Sequence, residues 1–138
     1  MRDILLSNDV PLTEKDVEDI FAKWVKRLRL RHWQFDLCFD QQPNKESQEA
    51  EIIMPADYDY GQVLFASNWQ DWSNELVNEV LVHELIHACL HKIHVAGLEG
   101  KNGYSPEAAK LYVRRFIHEI ERATDALTVT LIHHLGNV

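Results

Sequence analysis

Residues 73–94 read Ser-Asn-Glu-Leu-Val-Asn-Glu-Val-Leu-Val-His-Glu-Leu-Ile-His-Ala-Cys-Leu-His-Lys-Ile-His, and the rest of the chain falls into place around them. Ser73 is a helix cap with Glu75 in the first turn, and Leu76, Val77, Val80, Leu81, Leu85, Cys89 and Ile93 mark an apolar side. The spacing predicts one helix ending near Gly97, with Gly97, Gly100 and Gly103 forming a flexible loop. Ser105 followed by Pro106 restarts a helix, because proline suits the first helical position. That last helix runs to about His134 on a stripe of Val113, Ile117, Ile120, Thr124, Leu127 and Leu131.

Upstream, Thr13 and Asp16 open an amphipathic helix over about 14–30, carried by Val17, Ile20, Phe21, Trp24 and Leu28. Trp33, Phe35, Leu37 and Phe39 then alternate with polar residues, as a strand with one buried face does. After a polar loop from Gln41 to Gln48, strands are expected at Ala50–Met54 and Gln62–Ser67, joined as a hairpin through the turn chemistry of 55–61. The order is helix, three strands, helix, helix, which is an α+β domain with a small sheet leaning on helices.

Composition sets the outer limits. The 138 residues suit a single domain spanning 1–138, and 46% hydrophobic with 26% charged residues is an ordinary globular balance. The longest purely apolar run is Val63–Ala66, far below the ~20 residues of a membrane span. Met1–Ser7 holds only Ile4, Leu5 and Leu6 as an apolar run, too little for a signal peptide, so a soluble cytoplasmic protein is expected. The net charge of -8 argues against a protein that coats nucleic acid. The cations Lys23, Lys26, Arg27, Arg29 and Arg31 read as a helix end facing the negative pole of its dipole; a nucleic-acid or acidic contact there is the lesser reading. Cys38 and Cys89 read as reduced packing residues in buried segments.

His83, Glu84, Leu85, Ile86 and His87 form a complete H-E-x-x-H. Two histidines four apart share one helix face and can converge on a zinc ion, with the intervening glutamate beside the open coordination position as a proton acceptor. A shuffled chain of this composition shows the pattern at roughly 4%, so the context decides. Here the motif sits on an amphipathic helix, after a hairpin and before a long helix.

A third ligand is expected on the last helix. Taking about 100° per residue, Glu121 lies about 80° from the centre of the apolar stripe and Glu119 about 120° away on the other side. Glu121 is therefore preferred, with Glu119 in reserve. Asp125, one turn on, is placed to hold the outer nitrogen of a ligating histidine. His91 lies roughly 12 Å along a continuous helix from His83, and Leu90 and Ile93 occupy the glycine and third-histidine positions of a metzincin. His91 and His94 are therefore read as helix-end residues. Tyr58, Tyr60, Tyr104, Tyr112 and His118 are all available to steady an oxyanion, and the sequence does not choose among them.

The segment Leu81–His87 with a glutamate in a later helix resembles the gluzincin branch of zinc metallopeptidases, and is similar to short metallopeptidases encoded by phages and prophages. The resemblance spans about 32–131 and implies a minimal zincin-like fold, with Zn2+ on His83, His87 and Glu121 and Glu84 as general base. The Glu121–Asp125 spacing is similar to the ligand glutamate and supporting aspartate of thermolysin-like enzymes. A more distant likeness is to the SprT-like group, some of which act near DNA. Tyr104 stands where that group carries a third histidine, and its four-cysteine ribbon is absent. The expectation is a zinc-dependent peptidase acting on a peptide or protein. The alternative is a non-catalytic binding or regulatory module whose metal is closed by a fourth ligand such as His91.

Overall fold

The computed structural model describes residues 10–44 and 48–138; the Met1–Ser7 reading and part of the Gln41–Gln48 loop lie outside them. Helix α1 covers Glu14–Arg27. Thr13 and Asp16 cap it reciprocally, each side chain accepting from the other's backbone N–H at 3.1 and 2.9 Å. Val17, Ile20, Phe21 and Trp24 are its buried face. The helix stops three residues before the expected end, because Arg29 turns left-handed (φ 57°) and the Leu30 N–H reaches back to the Val25 carbonyl at 2.9 Å.

Strands β1 (Gln34–Cys38), β2 (Ala50–Ile53) and β3 (Tyr60–Phe65) form one sheet in the order β1-β3-β2. The expected hairpin is present, with β2 antiparallel to β3 in the register Ala50 to Phe65 and Ile53 to Gln62. β1 joins the far side of β3 in parallel, Gln34 opposite Tyr60 and Cys38 opposite Leu64. β2 is therefore an edge strand. Aromatic stacking fixes the ends of β1: Trp33 lies on Phe35 at 5.6 Å and Phe39 on Phe65 at 4.7 Å between ring centres.

Helix α2 (Asn74–Cys89), capped by Ser73, runs through the middle of the domain. Val77, Val80, Leu81, Val82, Leu85, Ile86 and Ala88 are all buried, so the helix is covered on more than the one side its sequence suggests. Asn78 is fully buried and earns its place by bonding: its Oδ1 accepts from Trp24 Nε1 at 2.7 Å and from the Val138 N–H at 2.8 Å.

The single helix expected from Ser73 to Gly97 is two helices. α2 ends at Cys89 and α3 (His91–Glu99) starts after Leu90, whose φ of -94° and ψ of 2° break the α-helical run. His91 explains the break. It is buried, its Nε2 lies 2.7 Å from the Pro55 carbonyl oxygen, and Trp33 meets its ring edge-on at 5.8 Å. His91 is thus the first residue of a new helix, not the trailing end of the old one. Cys89 is exposed and Ile93 is 61% exposed, so neither belongs to a buried stripe.

Gly97 sits inside α3, and Gly100–Gly103 is a 3-10 turn instead of an open loop. The Phe116 ring occupies the space a Gly97 side chain would need, and Tyr112 donates to the Gly97 carbonyl at 2.6 Å. Close approach of α3 to α4 is what selects glycine there.

Helix α4 (Pro106–Leu135) returns along α2, with Ser105 as its cap. Its buried seam is Ile120, Thr124 and Thr128, while Ile117 and Leu127 of the expected stripe are each 42% exposed. The two threonine hydroxyls donate to the carbonyls of Ile120 and Thr124, at 2.7 and 2.8 Å, so their burial leaves no donor unpaired. Among the described residues no helix is long and apolar enough to cross a membrane.

Candidate metal centre

The last two turns of α2 present His83 and His87 toward α4, their rings 5.0 Å apart and steeply inclined. Opposite them α4 brings Glu121. Its carboxylate oxygens lie 3.5 Å from His83 Nε2 and 3.1 Å from His87 Nε2. The ligand atoms of the three residues all lie within 4.8 Å of one another, and the group can hold a metal ion. Ligands sharing one tetrahedral ion at ~2.0–2.1 Å stand about 3.3 Å apart, and the two Glu121 spacings are of that size.

Asp125, one turn beyond Glu121, places Oδ1 3.2 Å from His83 Nδ1. That contact takes the outer nitrogen and leaves Nε2 as the inward donor. Glu119, the reserve ligand, points elsewhere: its carboxylate is 65% exposed and pairs with Arg122 at 3.5 Å.

Glu84 lies one residue on from His83 but turns toward the sheet. Its side chain is buried, and Oε1 accepts the Ile52 N–H of edge strand β2 at 2.9 Å. Oε2 faces the ligands, 3.9 Å from His83 Nε2. Burial pushes its pKa up to about 8; the charges of Glu121 and Glu51 push the same way, and the Ile52 hydrogen bond opposes them. A carboxyl group so placed exchanges a proton near neutral pH. His87 is held below the usual histidine range, first by burial and then by His83 and His94, with Glu121 and Asp125 acting the other way. The neutral imidazole that this favours is the form that binds a metal.

These groups open onto a cavity of about 610 Å³, walled by β2 on one side and by α2 and α4 on the other. His94 lines it too, and this was not expected. The turn at Leu90 redirects α3 so that His94 faces inward against Phe116, ring centres 5.7 Å apart. Burial, and then His91, lower its basicity. None of the tyrosines weighed as oxyanion partners lines the cavity. Tyr60 donates to Asp36 at 2.6 Å, Tyr112 to Gly97, Tyr104 lies against Tyr112, and Tyr58 is exposed. His118 is exposed and is not among the lining residues either.

The basic stretch lies elsewhere. Arg27 covers Trp24 at 4.7 Å and donates to the Gly136 carbonyl at 2.6 Å, while Lys26, Arg29, Arg31 and His32 border a separate open hollow. Compared with protein-family models, curated proteins and solved structures, the chain finds no match.

Proposed function

We propose that this protein is a minimal zinc metallopeptidase of the zincin type, in which His83, His87 and Glu121 hold the ion and Glu84 is the general base. The observation that carries the reading is the divided engagement of Glu84. One oxygen is fixed by the Ile52 N–H at 2.9 Å, and the other is left beside the ligand set, 3.9 Å from His83 Nε2. A carboxylate held this way has one free oxygen, aimed where a proton must be taken up.

When bound, zinc supplies Lewis-acid activation of a water molecule and of the scissile carbonyl. Glu84 Oε2 takes the proton of the attacking water and afterwards delivers it to the departing amide nitrogen, so the peptide C–N bond breaks as the amine leaves neutral. Asp125 keeps His83 in one tautomer throughout, and His94 offers a polar ring to the substrate from the cavity wall. The closed-site alternative needs a fourth protein ligand. Its candidate, His91, is engaged with the Pro55 carbonyl and is not part of the three-residue group.

The test is zinc per chain in wild type, His87→Ala and Glu121→Ala, by elemental mass spectrometry, followed by hydrolysis of a quenched-fluorescence peptide library. About one zinc in wild type, depletion in both variants, and cleavage abolished by chelator and by Glu84→Gln is the expected result. A wild type that takes up no zinc when the ion is added back overturns the reading.

A further inference from the structure

The cavity has an uneven charge that the metal chemistry does not require. Among the described residues six carboxylates line it (Glu49, Glu51, Glu79, Glu84, Glu121 and Asp125), and no lysine or arginine does. Glu84, Glu121 and Asp125 belong to the centre described above. Glu49, Glu51 and Glu79 lie outside it, the first two on and just before β2 and the third one turn before His83 on α2. They flank the centre instead of converging. The metal-holding group among the described residues is His83, His87 and Glu121, so these three are not a second ion site.

Glu51 is fixed in place. Its two carboxylate oxygens accept from the Asn44 N–H at 2.8 Å and from Asn44 Nδ2 at 3.4 Å, neutral donors that orient the charge without cancelling it. It is also the neighbour of Ile52, whose N–H holds Glu84, so its charge is carried close to the position of bond cleavage. A divalent ion at the centre offsets about two of the carboxylates and leaves the cavity negative. Apolar lining from Ile52, Met54, Val80 and Val129 keeps the local dielectric low and focuses that field. The chain's net charge of -8 adds a longer-range field of the same sign.

We infer that the cavity selects peptide segments carrying lysine or arginine beside the bond to be cut, an inference that rests on the hydrolytic reading above. Cationic side chains find Glu49 and Glu51 beside the centre, and acidic ones meet like charge in a confined space.

The test separates binding from cleavage. Zinc-loaded Glu84→Gln protein is titrated into labelled peptides of equal length, one series with lysine or arginine at the central positions, one with serine and one with glutamate. Fluorescence anisotropy is read at about 50 and about 500 mM salt. The cationic series is expected to bind at least tenfold more tightly than the acidic one at low salt, with the gap closing at high salt. Zinc-loaded Glu84→Gln that also carries Glu49→Gln and Glu51→Gln should keep one zinc per chain and lose most of the gap. Equal binding of the three series, no measurable binding of the cationic series at low salt, or a gap untouched by the two added substitutions overturns the inference. Wild-type hydrolysis of the same peptides reports on the peptidase reading by itself. Cleavage without charge preference removes this inference alone, and charge-selective binding without cleavage removes the enzymatic reading and, with it, the placement of the cation beside a bond to be cut.

Discussion

Glu84 Oε1 and the Ile52 backbone N–H are joined by a 2.9 Å hydrogen bond that ties the motif helix to the free edge of the sheet. It is a long-range link, 32 residues apart in sequence, and it orients a buried carboxyl group that nothing else on α2 holds at that oxygen. Replacing Glu84 by Gln preserves an acceptor for the Ile52 N–H and removes the proton acceptor. Zinc content is expected to stay at one per chain while peptide hydrolysis falls by about 10²–10⁴-fold. A variant cleaving at the wild-type rate would rule Glu84 out as the base.

The same residue sets a pH dependence in metal-free protein. The fold raises the pKa of Glu84 from 4.5 to about 8, so it favours the protonated form. The stability this contributes is complete below pH 4.5 and is lost as pH rises through 8. His87 and His94 are shifted down, so their neutral forms support the fold above 6.5 and that support is lost as pH falls. Between pH 6.5 and 8 the slope therefore belongs to Glu84. In chelator, Glu84→Gln should melt roughly 5 °C or more above wild type at pH 8.5, with the difference gone near pH 4.5. Superimposable melting curves at pH 8.5 would contradict a buried, ionising carboxyl group.

Asp125 touches the centre through His83, with its Oδ1 3.2 Å from Nδ1. Asp125→Ala should weaken zinc affinity by about 10–100-fold, measured by competition with a chromogenic chelator. The side chain is 69% exposed, so thermal stability without metal should change little. Unaltered zinc affinity would mean that His83 is oriented by something else.

His94 lines the cavity but lies outside the three-residue ligand group. His94→Ala is expected to keep zinc affinity within about twofold while lowering kcat/KM, since a cavity-wall donor acts on substrate and not on the ion. Loss of zinc in this variant would add His94 to the ligands.

Two glycines of the α3–α4 corner should respond in opposite ways. A side chain at Gly97 collides with the Phe116 ring, whereas one at Gly103 meets nothing within 4 Å. Gly97→Ala should cost about 1–3 kcal/mol in denaturant unfolding, and Gly103→Ala should be neutral or slightly stabilising. Comparable losses at both would remove the packing explanation.

Much of this was legible because it is local. The Thr13 and Ser105 caps, the alternation through Phe35 and Leu37, and the turn chemistry of 55–61 are each written within a few residues, although β3 starts at Tyr60, two residues earlier than that turn chemistry suggests. His83 and His87 follow from helical periodicity alone. The break at Leu90 was not legible, since leucine carries no stop signal and the cause is a histidine bonded to Pro55, 36 residues away in sequence. The pairing of β1 with β3 depends on chain crossing that no window of sequence contains. On α4 the stripe rightly included Thr124, which is buried, but passed over Thr128, a second polar residue that satisfies itself and buries, in favour of the half-exposed Leu127. Thr128 lies seven residues past Glu121, within about 20° around the helix, so the true seam runs nearer the ligand than Leu127 suggests.

On the zinc reading proposed above, that seam would act as a gauge for ion size. Small, self-satisfied side chains let α4 lie close to α2, and the distance between the helix axes decides how far the Glu121 carboxylate stands from His83 and His87. Discrimination between a compact tetrahedral ion and a larger one that wants longer bonds would then be set in part by residues outside the ligand group. A bulkier side chain at Thr128 would act like a spacer between two jaws, leaving every donor atom in the sequence unchanged while moving the centre's preference toward wider ions.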